Sequence, residues 1–237
     1  MTTQGSLAHG EGGDRVRCMT VPDTLTPRPS RRPQAERSAD TRAKLIEAAI
    51  TCLHRLGYGA TTVTVVAEEA KVSRGAMTHQ FPAKTDLMLA VVKAVFRKDS
   101  DHYVRAAAAL SPLEWMHQLP TTMWNTISQP SGIAVMEIML ATRSDPELAL
   151  KLREMQSRID VLAHGWVVER HQAAGLAERP DGEAIHRVFV AAIRGLALEA
   201  VFMRNRAEVE KSIAVLAETL RHLYPELASQ PSGETRE

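Results

Sequence analysis

Aromatic residues are scarce in this sequence: Phe, Trp and Tyr together make up 4% of 237 residues. Leu, Ala, Val, Ile and Met must therefore fill most of any core, and a hydrophobic fraction of 44% suffices for one large domain or two modest ones. The two cysteines, Cys18 and Cys52, give neither a metal-ligand spacing nor a disulfide framework. No apolar run is long enough to cross a bilayer and no secretory segment is recognisable, so the expected compartment is the cytoplasm. No strand-like alternation persists, which leaves an all-α chain. Nine histidines are present, yet there is no HExxH pair, no Gly-rich phosphate loop and no GxSxG turn. The sequence thus offers no catalytic residue, no metal site and no cofactor, and a non-enzymatic role is expected.

Net charge is nearly absent as well, at +1, but it is unevenly spread: the first 100 residues carry 15 Lys+Arg against 10 Asp+Glu. A basic front and an acidic back suit a front half that meets a polyanion. Residues 1–37, rich in Gly, Pro, Ser and Thr and without a period, read as a disordered basic arm. Its Arg28, Arg31, Arg32 and Arg37 could enter a narrow minor groove or hold phosphates; a solvated tail is the alternative.

A helix from about Ala39 to Leu56 follows, with Ala43, Ile46, Ala49, Ile50 and Leu53 on one face and Gly57 at its end. The stretch Thr62–Phe81 reads as two short helices joined by a tight turn. Thr62 and Ser73 are their N-caps. Val63, Val66, Ala67 and Ala70 turn one apolar stripe inward, and Ala76 and Met77 do the same on the second helix. This is the pattern of a helix-turn-helix, whose second helix enters the major groove; an ordinary helical hairpin is the rival reading. Arg74 can pair with guanine, Thr78 can meet a thymine methyl, and His79 can donate to a base or phosphate. Gln80 points in a less suitable direction. Lys84, at the start of the next helix, could reach a phosphate.

Ala83 to about Ala109 reads as one long helix. Short helices at Leu113–Leu119 and Thr121–Ser128 follow, then helices over 133–143, 146–172, 183–203 and 207–223, and a loose tail after Pro225. The expected boundaries are an arm at 1–37, a reading head at 38–84, an effector and dimerisation domain at 85–225 and a flexible tail at 226–237. Trp115, Met116, Met123, Trp124, Met136, Met139 and Trp166 are the candidate lining of an apolar pocket, because Trp and Met shape adaptable cavities; simple core packing is the alternative. Val188, Phe189, Ala192, Ile193, Leu196 and Ala197 form one apolar stripe, and Ile213, Leu216, Ala217 and Leu220 another. Together they are the candidate homodimer interface of a four-helix kind.

The segment RAKLIEAAITCLHRLGYGATTVTVVAEEAKVSRGAMTHQFPAKTDLMLAVV, about residues 40–95, resembles the DNA-binding domain of the TetR-type transcriptional regulators. That resemblance implies a dimeric, all-helical protein with a small reading head and a larger effector domain. It implies phosphate contacts near Thr62, Ser73 and Lys84, a recognition helix opened by Arg74 and Gly75, and exposed Thr78 and His79. Two positions depart from the family: Lys71 stands where the turn often has Gly, and Thr78 where Tyr is frequent. The expected partners are a double-stranded DNA operator, a second copy of the chain and an unidentified apolar or amphipathic effector that releases a repressor from its palindromic operator. A helical adaptor without specific DNA binding is the alternative function.

Overall fold

The computed structural model describes residues 34–176, 179–203 and 206–228, and these residues are helical with no strand among them. The helices are α1 (Gln34–Ala60), α2 (Val63–Glu69), α3 (Arg74–Gln80), α4 (Lys84–Ala108), α5 (Pro112–Ile127), α6 (Pro130–Ala141), α7 (Pro146–Ala173), α8 (Gly182–Met203) and α9 (Arg206–Leu223). A short 3-10 turn, Pro225–Ala228, follows.

Local chemistry explains most of these limits. Gly57 adopts φ 75°, ψ 173° and breaks α1 where the sequence places its end. Pro112, Pro130 and Pro146 each occupy the first turn of a helix, where a missing N–H costs nothing. Ser111 and Glu114 close a reciprocal capping box on α5. Gly132 lets α6 turn back on α5: a Cβ there would lie 2.0 Å from the Ile127 carbonyl oxygen.

Two apolar clusters hold the chain together. The first runs from Leu45 and Leu53 of α1 through Val66, Met77 and Phe81 to Leu87 and Val91 of α4, and continues into Ile138 of α6 and Leu148 of α7. The small N-terminal helices therefore share one core with the larger half. The second joins Trp115, Met116 and Leu119 of α5 to Phe189 and Ile193 of α8, Ile213 and Leu220 of α9, and Tyr224.

The structure corrects the sequence reading in three places. Helix α1 begins at Gln34, so Arg37 lies in the helix rather than in an irregular arm. Gln34, Ala35, Glu36 and Arg37 are good helix formers beyond the last proline of that segment. Arg28, Arg31 and Arg32 lie outside the described residues. Residues 112–127 form one helix, not two, with Pro120 buried inside it; burial of Leu119, Pro120 and Met123 outweighs the one lost backbone bond. Beyond Pro225 the chain is not loose at once, because Leu227 is buried against the second cluster.

Candidate nucleic-acid interface and cavity

The helix pair Thr62–Phe81 is built as its sequence implies. Thr62 Oγ1 accepts from the Val65 N–H at 3.2 Å and Ser73 Oγ from the Ala76 N–H at 3.2 Å. Each hydroxyl accepts in its cap and keeps its own proton to donate. Val66, Ala67 and Met77 are buried between the two helices and α1. Lys71 takes φ 54° in the turn, so the position where the family often has Gly is left-handed here and lysine adopts it.

Arg74, Gly75, Thr78 and His79 all lie exposed on α3. The Thr78 hydroxyl donates to the Arg74 carbonyl at 3.1 Å, leaving its methyl group and oxygen lone pairs outward. Gln80 faces away: its amide nitrogen donates to Ser38 Oγ at 2.7 Å and so ties α3 to α1. Arg42 completes that seam, donating to the Gln80 carbonyl at 3.2 Å with its guanidinium 4.3 Å from the Phe81 ring centre.

Lys84 departs from the expectation of a free phosphate contact. Its ammonium donates to the Tyr58 carbonyl at 2.7 Å and sits 3.6 Å from the centre of the Tyr58 ring. Burial lowers its pKa, partly opposed by Asp145. The start of α4 is thus bolted to the end of α1, an interaction local sequence could not disclose because Tyr58 is distant along the chain.

Tyr58 also joins α1 to the larger half. Its hydroxyl donates to Asp145 Oδ2 at 2.8 Å and its N–H to Glu137 Oε2 at 3.0 Å. Burial and the bond to Asp145 push the phenol up to about 12. Asp145 in turn caps α7 through the Leu148 N–H at 2.9 Å.

A cavity of about 380 Å³ opens between α4, α5, α7 and α8. Phe96, Asp99 and Tyr103 enter it from α4, Met123 and Thr126 from α5, Ile159, Asp160 and Trp166 from α7, and His186, Val190 and Arg194 from α8. A smaller space of about 110 Å³ adjoins it, shares Phe96, Asp99, Ile159 and Arg194, and extends to Met136. The Tyr103 hydroxyl lies 2.9 Å from Thr126 Oγ1, and burial pushes its pKa up to about 12. Burial also raises the Asp99 carboxyl to about 6, against the pull of Lys98.

Of the residues expected to line a pocket, Met123 and Trp166 do so, and Met136 lines the smaller space. Trp115 and Met116 are fully buried in the second cluster, with Trp115 edge-on behind Trp166 at 4.9 Å. Trp124 packs between helices and Met139 against the first cluster. Sequence reading missed Asp99, Tyr103, His186 and Arg194, because their common destination depends on how α4 and α8 cross, which no spacing encodes.

The expected dimer stripes face inward instead. Phe189, Ile193, Ile213 and Leu220 are buried in the second cluster, and Ala197 packs with Ile133 and Met136. Leu196 and Leu216 lean on the second cluster, and Ala192 and Ala217 are half-buried. Val188, by contrast, is 64% exposed, as is Val215 of α9 at 63%. The periodicity finds an apolar face but not its cover, and the largest side chains take the interior.

No helix among the described residues is long and apolar enough to cross a membrane, and no cluster of three His, Cys, Asp or Glu side chains among them could hold a metal ion.

Comparison with known proteins agrees with this geometry. The profile of the family described as bacterial regulatory proteins, tetR family, matches residues 45–91. The HTH-type transcriptional regulator CymR of Pseudomonas putida is 29% identical over 202 residues, 83% of this chain and 97% of that protein. A TetR transcription regulator from Haloarcula marismortui has the same fold, with a TM-score of 0.63 and 17% identity over 78% of this chain and 99% of that one. A transcriptional regulator from Saccharomonospora viridis, solved in complex with choline, aligns with a TM-score of 0.62 and 16% identity, over 78% of this chain and 98% of that one. Residues 45–91 form a helix-turn-helix domain of the tetR family of bacterial regulatory proteins, and the chain as a whole is similar in sequence and fold to transcriptional regulators of that type.

Proposed function

We propose that the chain is a ligand-responsive repressor that binds a palindromic operator as a homodimer and leaves it when a small molecule fills the α4–α8 cavity. The observation that carries this reading is the exposed edge of α3. Arg74, Thr78 and His79 stand free while Gln80 and Met77 hold the helix against α1. Arg74 would read a guanine edge, Thr78 and His79 neighbouring positions, and the Thr62 and Ser73 hydroxyls would donate to phosphates. Arg28, Arg31 and Arg32 of the N-terminal segment, with Arg37 in the first turn of α1, would add sequence-independent affinity.

Two heads are needed, since one module buries too little surface for high specificity. Ala184, Val188, Ala191 and Gly195 recur every three or four residues on the exposed face of α8, beside Ala214 and Val215 on α9. Small residues there allow two copies to approach closely in a four-helix contact. Tyr58 links the head to α6 and α7, and α4 runs from the head to the cavity wall, so a ligand that prefers another tilt of α4 would move the heads.

Fluorescence anisotropy on random and genomic duplexes at two salt concentrations tests the reading. Strong salt dependence with selection of a two-fold symmetric site supports it. Salt-independent, weak binding to every duplex would instead favour a helical adaptor.

A further inference from the structure

The cavity wall contains one permanent positive charge that Asp160 faces only at long range. Arg194 enters from α8, and among the described residues its guanidinium makes no hydrogen bond and no ion pair. We propose that the cavity takes a small monocarboxylate, its acid group on Arg194 and its apolar body against Phe96, Ile159, Trp166 and Val190. This inference deepens the effector reading above and rests on it for the location of the ligand.

Three observations favour a carboxylate over other chemistries. First, arginine cannot relieve its burial by losing a proton, whereas an aspartic acid can. Burial works against the charge of Arg194, and only Asp160 offsets this from a distance. Asp160 is itself exposed and already accepts from Gln156 Nε2 at 2.7 Å, so it is satisfied without Arg194. A planar carboxylate matches the guanidinium fork with two parallel hydrogen bonds.

Second, the cavity also holds Asp99, whose carboxyl burial raises to about 6, so that it is mostly ionised at pH 7 and an anion bound beside it favours its protonated form. In that form it can donate to a ligand oxygen. A phosphate or other dianion would set two negative charges against Asp99 and Asp160, so a single charge fits best. Third, the remaining wall is mainly aromatic and aliphatic, with Ser100, Thr126, Gln156 and His186 as its other polar members, and about 380 Å³ lies near the small end of ligand pockets, roughly 300–1,000 Å³. A quaternary cation is the rival, since Phe96, Tyr103 and Trp166 present ring faces. That rival leaves the Arg194 charge unpaired and adds a second positive charge beside it.

Trp166 in the wall supplies the signal. Full-length protein is titrated with octanoate, octanol and octyltrimethylammonium, and with phenylpropionate and phenylpropanol, following tryptophan fluorescence. The expected result is at least about tenfold tighter binding of each acid than of its alcohol, in line with a charge-assisted pair. Arg194→Gln should abolish that preference while holding alcohol affinity within about threefold, and Arg194→Lys should restore part of it. Circular dichroism melts show whether the variants fold; where they do not, the acid-to-alcohol ratio of the parent decides alone. Equal binding of acid and alcohol, tighter binding of the ammonium compound, or no binding of any probe overturns the inference. A parallel anisotropy titration with operator separates the two readings. Acid binding that leaves DNA affinity unchanged defeats release by ligand but not the acid site. Release of DNA by alcohol and acid alike defeats the acid site but not release.

Discussion

The Tyr58 hydroxyl lies 2.8 Å from Asp145 Oδ2 and donates to it, so the last turn of α1 grips the residue that caps α7. Asp145 divides its oxygens between the two tasks, Oδ2 to Tyr58 and Oδ1 to the Leu148 N–H. With Glu137 and Lys84 on the Tyr58 backbone, four helices meet at this one residue. The contact is a direct polar link between the larger half and the N-terminal helices.

Tyr58→Phe should lower stability by about 1 kcal/mol and weaken the coupling between ligand and DNA, leaving each binding step intact. Urea unfolding and operator titrations with and without ligand measure both. The pH dependence has a defined sign. The Leu148 N–H, then the Tyr58 hydroxyl, hold the Asp145 carboxyl below its ordinary value. The stability it contributes is present above the unfolded carboxylate pKa and lost as pH falls through its lower folded value. Asp145→Asn should therefore flatten the acid limb of the stability profile.

Arg74 and Lys84 should separate in a way the sequence alone does not suggest. Arg74→Ala should cost about tenfold or more in operator affinity and relax base preference at one position, without altering the melting temperature. Lys84→Ala should lower the melting temperature by a few degrees, roughly 2–4 °C per kcal/mol at this size, since its ammonium holds the Tyr58 carbonyl. Gel shifts and calorimetry on both variants check this. A stable Lys84→Ala variant with a reduced salt slope would return Lys84 to the phosphate contacts.

Asp99→Asn should behave oppositely to Asp145→Asn. Burial raises the folded carboxyl to about 6, so the folded state binds its proton more tightly than the unfolded chain. The advantage is complete below the unfolded pKa and is lost as pH rises through about 6. The Asn variant should melt higher than the parent near neutral pH, with that gain disappearing at about pH 4. Melting curves across this range decide the matter; a constant difference at every pH would remove Asp99 from the titration.

Val188→Glu and Ile193→Glu should fail differently. Val188 is 64% exposed, so Glu there should dissociate the dimer, preserve helicity and weaken operator binding. Ile193 is fully buried, and a charge there should unfold the second cluster, a loss of several kcal/mol. Light scattering with circular dichroism distinguishes the outcomes. A Val188→Glu protein that remains dimeric would move the contact elsewhere.

The reading head was legible because its determinants are local. Thr62 and Ser73 cap within three residues, Gly57 stops a helix by its own dihedral, and Val66, Ala67 and Met77 repeat at the helical period. The sequence likewise determined the all-α class and the positions of nearly every helix, since prolines and caps mark most of their starts. Tertiary structure decided what those helices face. The same period fits Phe189, turned into the core, and Val188, turned to solvent; only packing against α5 and α9 chooses between them. It also decided that Lys84 spends its charge on Tyr58, and that Asp99 and Arg194, far apart in the chain, line one cavity while Trp115 stands behind its wall. A side chain's local pattern fixes its direction on a helix, but its environment is supplied by residues tens of positions away.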